Sequence, residues 1–146
     1  ARPFSRISDI LQVEGITPEL YAQWEDILTV YGSGRVNINA ASADVLGVLG
    51  LDQVVIGNIL AYRAGSDGVE GTADDNAFED TGSISSVITA GGPSPERQTS
   101  LSRLQGSLSV SSEIFAVEVR TFTGDAPALQ YRIVFDRLGI KQWIEQ

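Results

Sequence analysis

Apolar residues in the first sixty positions recur at helical spacing. Ile7, Ile10 and Leu11 stand at i, i+3 and i+4. Thr17-Pro18-Glu19 then supplies an N-cap, a proline at the first helical position and an acid in the first turn, ahead of Leu20, Trp24, Ile27 and Leu28 on one face. Ser42 or Asp44 opens a third helix bearing Val45, Leu46 and Leu49, and Asp52 caps a fourth bearing Val55, Ile56, Ile59 and Leu60. The connectors are short, which favours antiparallel neighbours. Between Gly65 and Asp80 the periodicity disappears, and a loop is expected. Ser83 to Ala90 reads as a short helix stopped by Gly91-Gly92-Pro93. Ser94-Pro95-Glu96 starts another, with Leu101 and Leu104 as its sparse apolar positions.

After Gly106 the period becomes two. Phe115, Val117 and Val119 alternate with Ala116, Glu118 and Arg120. Beyond the turn-like Gly124-Asp125-Ala126-Pro127, Leu129, Tyr131, Ile133 and Phe135 alternate with Gln130, Arg132 and Asp136. Two paired strands are expected. A lone hairpin is marginal in water, so these strands must pack on the helices or pair with further strands. No internal repeat indicates a solenoid.

With 146 residues, 42% of them hydrophobic, the chain can bury one sizeable core or two small ones. No apolar run approaches the roughly 18 residues of a membrane span. The absence of Met and the start Ala1-Arg2-Pro3 make it read as part of a longer protein. The net charge of -9 opposes contact with nucleic-acid phosphates and anionic head groups. That charge is concentrated: Asp67, Glu70, Asp74, Asp75, Glu79 and Asp80 lie between Ala64 and Asp80 with no base among them. There is no His and no Cys, which removes His-based triads, proton relays and the common zinc sites. The acids crowd one loop instead of flanking a cleft, so paired-carboxylate hydrolysis lacks support and a non-enzyme is expected. Trp24 and Trp143 read as packing residues, and Lys141 is the only lysine.

The segment Gly65 to Asn76 brings hard oxygen donors together with glycines that let the backbone curl. Calcium takes six to eight oxygens at about 2.3–2.6 Å, from carboxylates, carbonyls and water. The spacing is not that of an EF-hand, yet like charges this dense repel one another, and a cation would order them. Asp67, Glu70, Asp74 and Asp75 are the candidate side-chain ligands, with carbonyl or hydroxyl oxygen from Val69 or Thr72. The bland alternative is a solvated acidic turn. In Gly34 to Ser42, Val36 and Ile38 can point inward while Asn37 and Asn39 bond nearby backbone, a structural turn. Its rival is a helix-hairpin-helix nucleic-acid module with Leu49-Gly50-Leu51-Asp52 as a hairpin loop, opposed by the charges of Asp44 and Asp52.

In order, Ile7-Ser8-Asp9-Ile10-Leu11, Val13 to Tyr21, Leu28-Thr29-Val30-Tyr31-Gly32, Val36-Asn37-Ile38-Asn39-Ala40-Ala41 and the Asp67 to Asp75 loop resemble the large periplasmic domain of minor pseudopilin K of type II secretion systems. The tail Ser111-Ser112-Glu113-Ile114-Phe115 and the strands after it are similar to that family's final sheet segment. Ala40 departs from the Thr usual at that position, and the Val36 to Ala41 pattern also occurs in helix-hairpin-helix DNA-uptake proteins. The resemblance implies an α+β fold: a small helical domain of helix-hairpin-helix or SAM-like kind over residues 1–106, with its acidic loop at 65–80, inserted between strands of a pilin-like sheet and followed by that sheet's antiparallel strands over 107–146. It further implies a periplasmic, non-catalytic pseudopilus tip subunit, anchored in the inner membrane by an N-terminal helix absent from this sequence. Its expected partners are the I and J minor pseudopilins, and calcium is expected in the helical domain.

Overall fold

The computed structural model describes residues 4–25, 27–88, 94–124 and 126–145. The architecture is α+β, with two compact units: Ala1–Val30 with Gly34–Ser111, and Tyr31–Ser33 with Ser112–Gln146. The division falls after Ser111 instead of after residue 106 because Leu108–Ser109 (β2) turns back and pairs in parallel with Val36–Asn37 (β1). No helix among the described residues is long and apolar enough to cross a membrane.

In the helical unit, Ile7–Gln12 is a 3-10 helix whose start is closed by Asp9, which accepts the N–H groups of Ser5 and Arg6 at 2.9 and 3.2 Å. Helix α1, Pro18–Trp24, is capped by the Thr17 hydroxyl, which accepts from the Leu20 N–H at 3.3 Å. It ends short of Ile27 and Leu28, which sequence placed on it. The N–H groups of both donate to the Trp24 carbonyl at 3.0 Å, sharing one acceptor beyond the end of the helix. Ser42 caps α2 (Ala43–Val48), with Asp44 in its first turn. Asp52 caps α3 (Gln53–Arg63) through the Val54 and Val55 N–H groups, both at 3.0 Å. Helices α4 (Ile84–Ile88) and α5 (Pro95–Leu104) follow. The glycine-proline stop at 91–93 lies outside the described residues.

The α2–α3 connection follows from one glycine. Gly50 sits at φ +86°, where L side chains are strained. Its N–H reaches the Gly47 carbonyl at 2.9 Å, and the Leu51 N–H reaches the Leu46 carbonyl at 3.3 Å. This is the paired bonding of a Schellman stop, and Leu51 and Leu46 make the apolar contact that accompanies it. The chain thereby reverses in four residues, and Leu46, Leu51, Val55, Ile56 and Ile59 enter one core with Ile38, Phe78, Ile84 and Leu108. Ile38, Leu46 and Ile59 are fully enclosed. Each such side chain contributes about 1.5–3 kcal/mol.

Asn39 joins three separate segments of this unit. Its Oδ1 accepts the Phe78 N–H at 2.8 Å, while its Nδ2 donates to the carbonyls of Phe78 and Val110, each at 2.9 Å. The Asn37 carboxamide accepts the Asn39 N–H at 3.0 Å and fixes the turn that presents the side chain. A carboxamide can satisfy a backbone N–H and C=O together, as a neighbouring strand would.

The second unit is an antiparallel sheet ordered β3 (Phe115–Thr123), β4 (Ala126–Asp136), β5 (Gly139–Glu145). The alternation of apolar and polar residues predicts only the first two of these strands. In β5 the alternation is broken by an irregularity opposite Val134 and Phe135, so that Ile140 pairs with Phe135 and Trp143 with Ile133. Of the expected turn, Asp125 lies outside the described residues. The register puts Phe115, Val117, Val119, Leu129, Tyr131, Ile133, Phe135, Ile140 and Trp143 on one face. Phe115 stacks on Phe135 and Tyr131 meets Trp143 edge-on, both at 5.7 Å. Glu118, Arg120, Gln130 and Arg132 share the other face, together with the buried Val134.

Replacing Asn39 with Ala strands the Phe78 and Val110 groups together. A loss on the order of 2–4 kcal/mol is expected in urea unfolding, with an unchanged slope.

Candidate functional site

The acidic loop leaves the end of α3 and is closed at its base. The Asn76 N–H donates to the Arg63 carbonyl, and its Nδ2 to the Tyr62 carbonyl, both at 3.0 Å. Just beyond, the Phe78 ring packs on Tyr62 with centroids 4.6 Å apart. Gly65 makes the exit from the helix, at φ +63°, and a Cβ there would collide with the Asp74 carbonyl. The two sides of the loop therefore touch backbone to backbone at its neck.

Asp74 organises the interior. Its Oδ2 accepts from the Ser66 hydroxyl at 2.5 Å, the Ser66 N–H at 2.7 Å and the Asp67 N–H at 3.1 Å, while Oδ1 accepts from the Thr72 hydroxyl at 2.7 Å. The Ser66 and Thr72 hydroxyls, followed by the Ser66 and Asp67 N–H groups, hold its carboxyl far below the usual carboxylate range. The order this carboxylate gives the loop is therefore present above the ordinary carboxylate range and is lost only as pH falls well below it. Asp75 accepts the Gly71 N–H at 2.7 Å, and Asp67 accepts the Val69 N–H at 2.8 Å.

Of the six residues expected to bind metal, Val69, Asp74 and Asp75 each bring an oxygen to the Thr72 hydroxyl. The Thr72 hydroxyl lies 3.2 Å from the Val69 carbonyl, 2.7 Å from Asp74 Oδ1 and 3.4 Å from Asp75 Oδ1. These are hard oxygens of the kind calcium takes, and the 2.7 Å contact between the Thr72 hydroxyl and Asp74 is a hydrogen bond, shorter than the spacing of two ligands on one ion. The other two are placed elsewhere. Asp67 is spent on the Val69 turn, and Glu70 pairs with Arg63 at 2.7 Å. Among the described residues no three acidic side chains gather at one point. Nor does the charge run form one site, because Asp80 caps the approach to α4 through the Gly82 and Ser83 N–H groups at 2.6 and 2.9 Å.

Sequence reasoning missed Ser66, Arg63 and Asn76, which shape the loop without being acidic. Only Asn76, directly after the paired acids, carried a turn-residue signal. No family model, no curated protein and no solved structure matches the chain.

Calcium is expected to raise the melting temperature and chelation to lower it. Free ion at about a hundred times its dissociation constant adds about 2.7 kcal/mol if one site exists only in the folded state. Asp74→Asn with Asp75→Asn should remove that response and leave the helical circular dichroism in place. Identical wild-type melting curves in calcium and in chelator would contradict the metal assignment.

Proposed function

We propose that this chain is the helical and sheet region of a protein like minor pseudopilin K, and that it works by assembly, without catalysis, at the tip of a type II secretion pseudopilus. The observation that carries the proposal is the sheet. Its three strands present a continuous apolar face on which Trp143 and Ile140 are each 59% exposed, and among the described residues no further strand pairs with its edges, β3 and β5. Exposed apolar area and unpaired edges invite association, and a soluble monomer ordinarily avoids showing both. In this reading the SAM-like helical unit and the pilin-like sheet belong to one periplasmic subunit held at the inner membrane by an N-terminal helix. The I and J minor pseudopilins are its partners. Calcium, bound by Val69, Thr72, Asp74 and Asp75, holds the loop in shape.

The alternative is a helix-hairpin-helix module for nucleic acid, and the α2–Gly50–α3 hairpin favours it. In such a module phosphate would approach the free N–H groups at the start of the second helix. Here Asp52 already occupies those of Val54 and Val55 with its own carboxylate and adds a negative charge at that point.

One experiment separates the two. Mixing the protein with I- and J-type minor pseudopilins should give a complex in size-exclusion chromatography, and duplex DNA should not bind at low salt. Absence of the complex, together with duplex binding that weakens steeply as salt is added, would establish the alternative.

A further inference from the structure

We infer that the outer edge of β3 is a self-recognition surface, on which a second copy of this chain pairs antiparallel about a two-fold axis at Val119. The surface is defined by the register of the sheet and does not depend on a role in secretion.

The two edges of the sheet differ. The pairing of β5 with β4 skips Lys141, so that edge carries both a bulge and a lysine, and each of these keeps an edge from pairing with another chain. The β3 edge has neither. It runs nine residues without proline, glycine or lysine, all of them exposed, and from Phe115 to Thr121 it pairs with β4 without a break. Among the described residues no strand lies on its outer side. An edge of this length and regularity is a template for a further strand.

The side chains of β3 are their own complement. Glu118 and Arg120 flank Val119 on the face opposite the apolar one, with Arg120 Nη2 3.4 Å from Glu118 Oε2. When two antiparallel copies cross at Val119, each Glu118 stands directly opposite the Arg120 of the other copy. Residues so placed have Cβ atoms about 4.5–5.5 Å apart, and opposite charges there are favourable. Four alternating charges then surround the axis, and Arg132 of β4 stands opposite Glu118 on the inner side. Neighbouring registers fail. A crossing at Glu118 sets two carboxylates face to face, and one at Arg120 sets two guanidiniums face to face, which is destabilising. A slip of one residue puts the apolar face of one copy beside the polar face of the other. In the Val119 register the apolar faces of both copies lie on the same side and join across the two three-stranded sheets. Phe122, 62% exposed, then comes opposite Ala116 of the second copy and is covered. Main-chain hydrogen bonds and the covered apolar groups hold such a pair, and the exposed charges choose its register.

Sedimentation equilibrium tests the pairing, and a reversible dimer is expected. Glu118→Arg sets like charges opposite one another across the axis, and so does Arg120→Glu, so each alone should raise the dimer dissociation constant by about tenfold or more. An equimolar mixture of the two variants is complementary again and should associate about as wild type does. A wild type that stays monomeric at about millimolar concentration would overturn the pairing, as would a dimer that both variants leave unchanged. The chain has no cysteine, so a second measurement avoids the charge variants altogether. Val119→Cys lies on the axis and should be joined to its own copy by a short bifunctional thiol reagent. Phe115→Cys should not be, because the two copies of that position are roughly 27 Å apart along the strands. Equal cross-linking at the two positions would contradict the Val119 register.

Discussion

The helical unit depends on the carboxamide of Asn39. Its helices are short, and isolated helices of that length do not hold in water without tertiary packing. What brings them together is a non-helical strip, residues 36–42, that pairs with β2 on one side and bonds Phe78 and Val110 through a single side chain. Because Asn39 satisfies both backbone groups of Phe78, the chain leaving the acidic loop is fixed where the Phe78 ring enters the core beside Tyr62. The loop's base is then set by Asn76 and its flank by Arg63. Hydrogen bonds in so partly apolar a setting are individually modest, but leaving their partners unmade is costly, and that asymmetry keeps the strip in place.

Helix starts were legible because their chemistry is local. Thr17, Ser42 and Asp52 each cap the helix that follows within three residues, which the chain states openly. Helix α1's end was less legible: nothing local distinguishes Trp24 from Ile27, and no residue of α1 is fully buried to enforce the longer form. The third strand was hidden by the irregularity opposite Val134 and Phe135, which breaks the alternation of Ile140 and Trp143. The β1–β2 pairing joins residues some seventy positions apart, and two-residue strands leave no periodic trace.

The candidate site shows the same division. Oxygen-rich composition marked the loop, where Val69, Asp74 and Asp75 each bring an oxygen to the Thr72 hydroxyl. Composition could not tell which acids serve the loop's own backbone. Asp67 and Asp80 are drawn to nearby N–H groups, and Glu70 to a guanidinium that α3 delivers from the interior. A count of carboxylates therefore overstates the charge available to an ion.

We propose that a rigid neck holds a loop whose outer part is completed by calcium. Amide hydrogen exchange measured in calcium and in chelator tests it most directly, because it reads each side of the loop separately from the core. Slower exchange in calcium is expected at Gly71 and Thr72, with unchanged protection at Ile56 and Ile59. Equal exchange at Gly71 and Thr72 in the two conditions would contradict it.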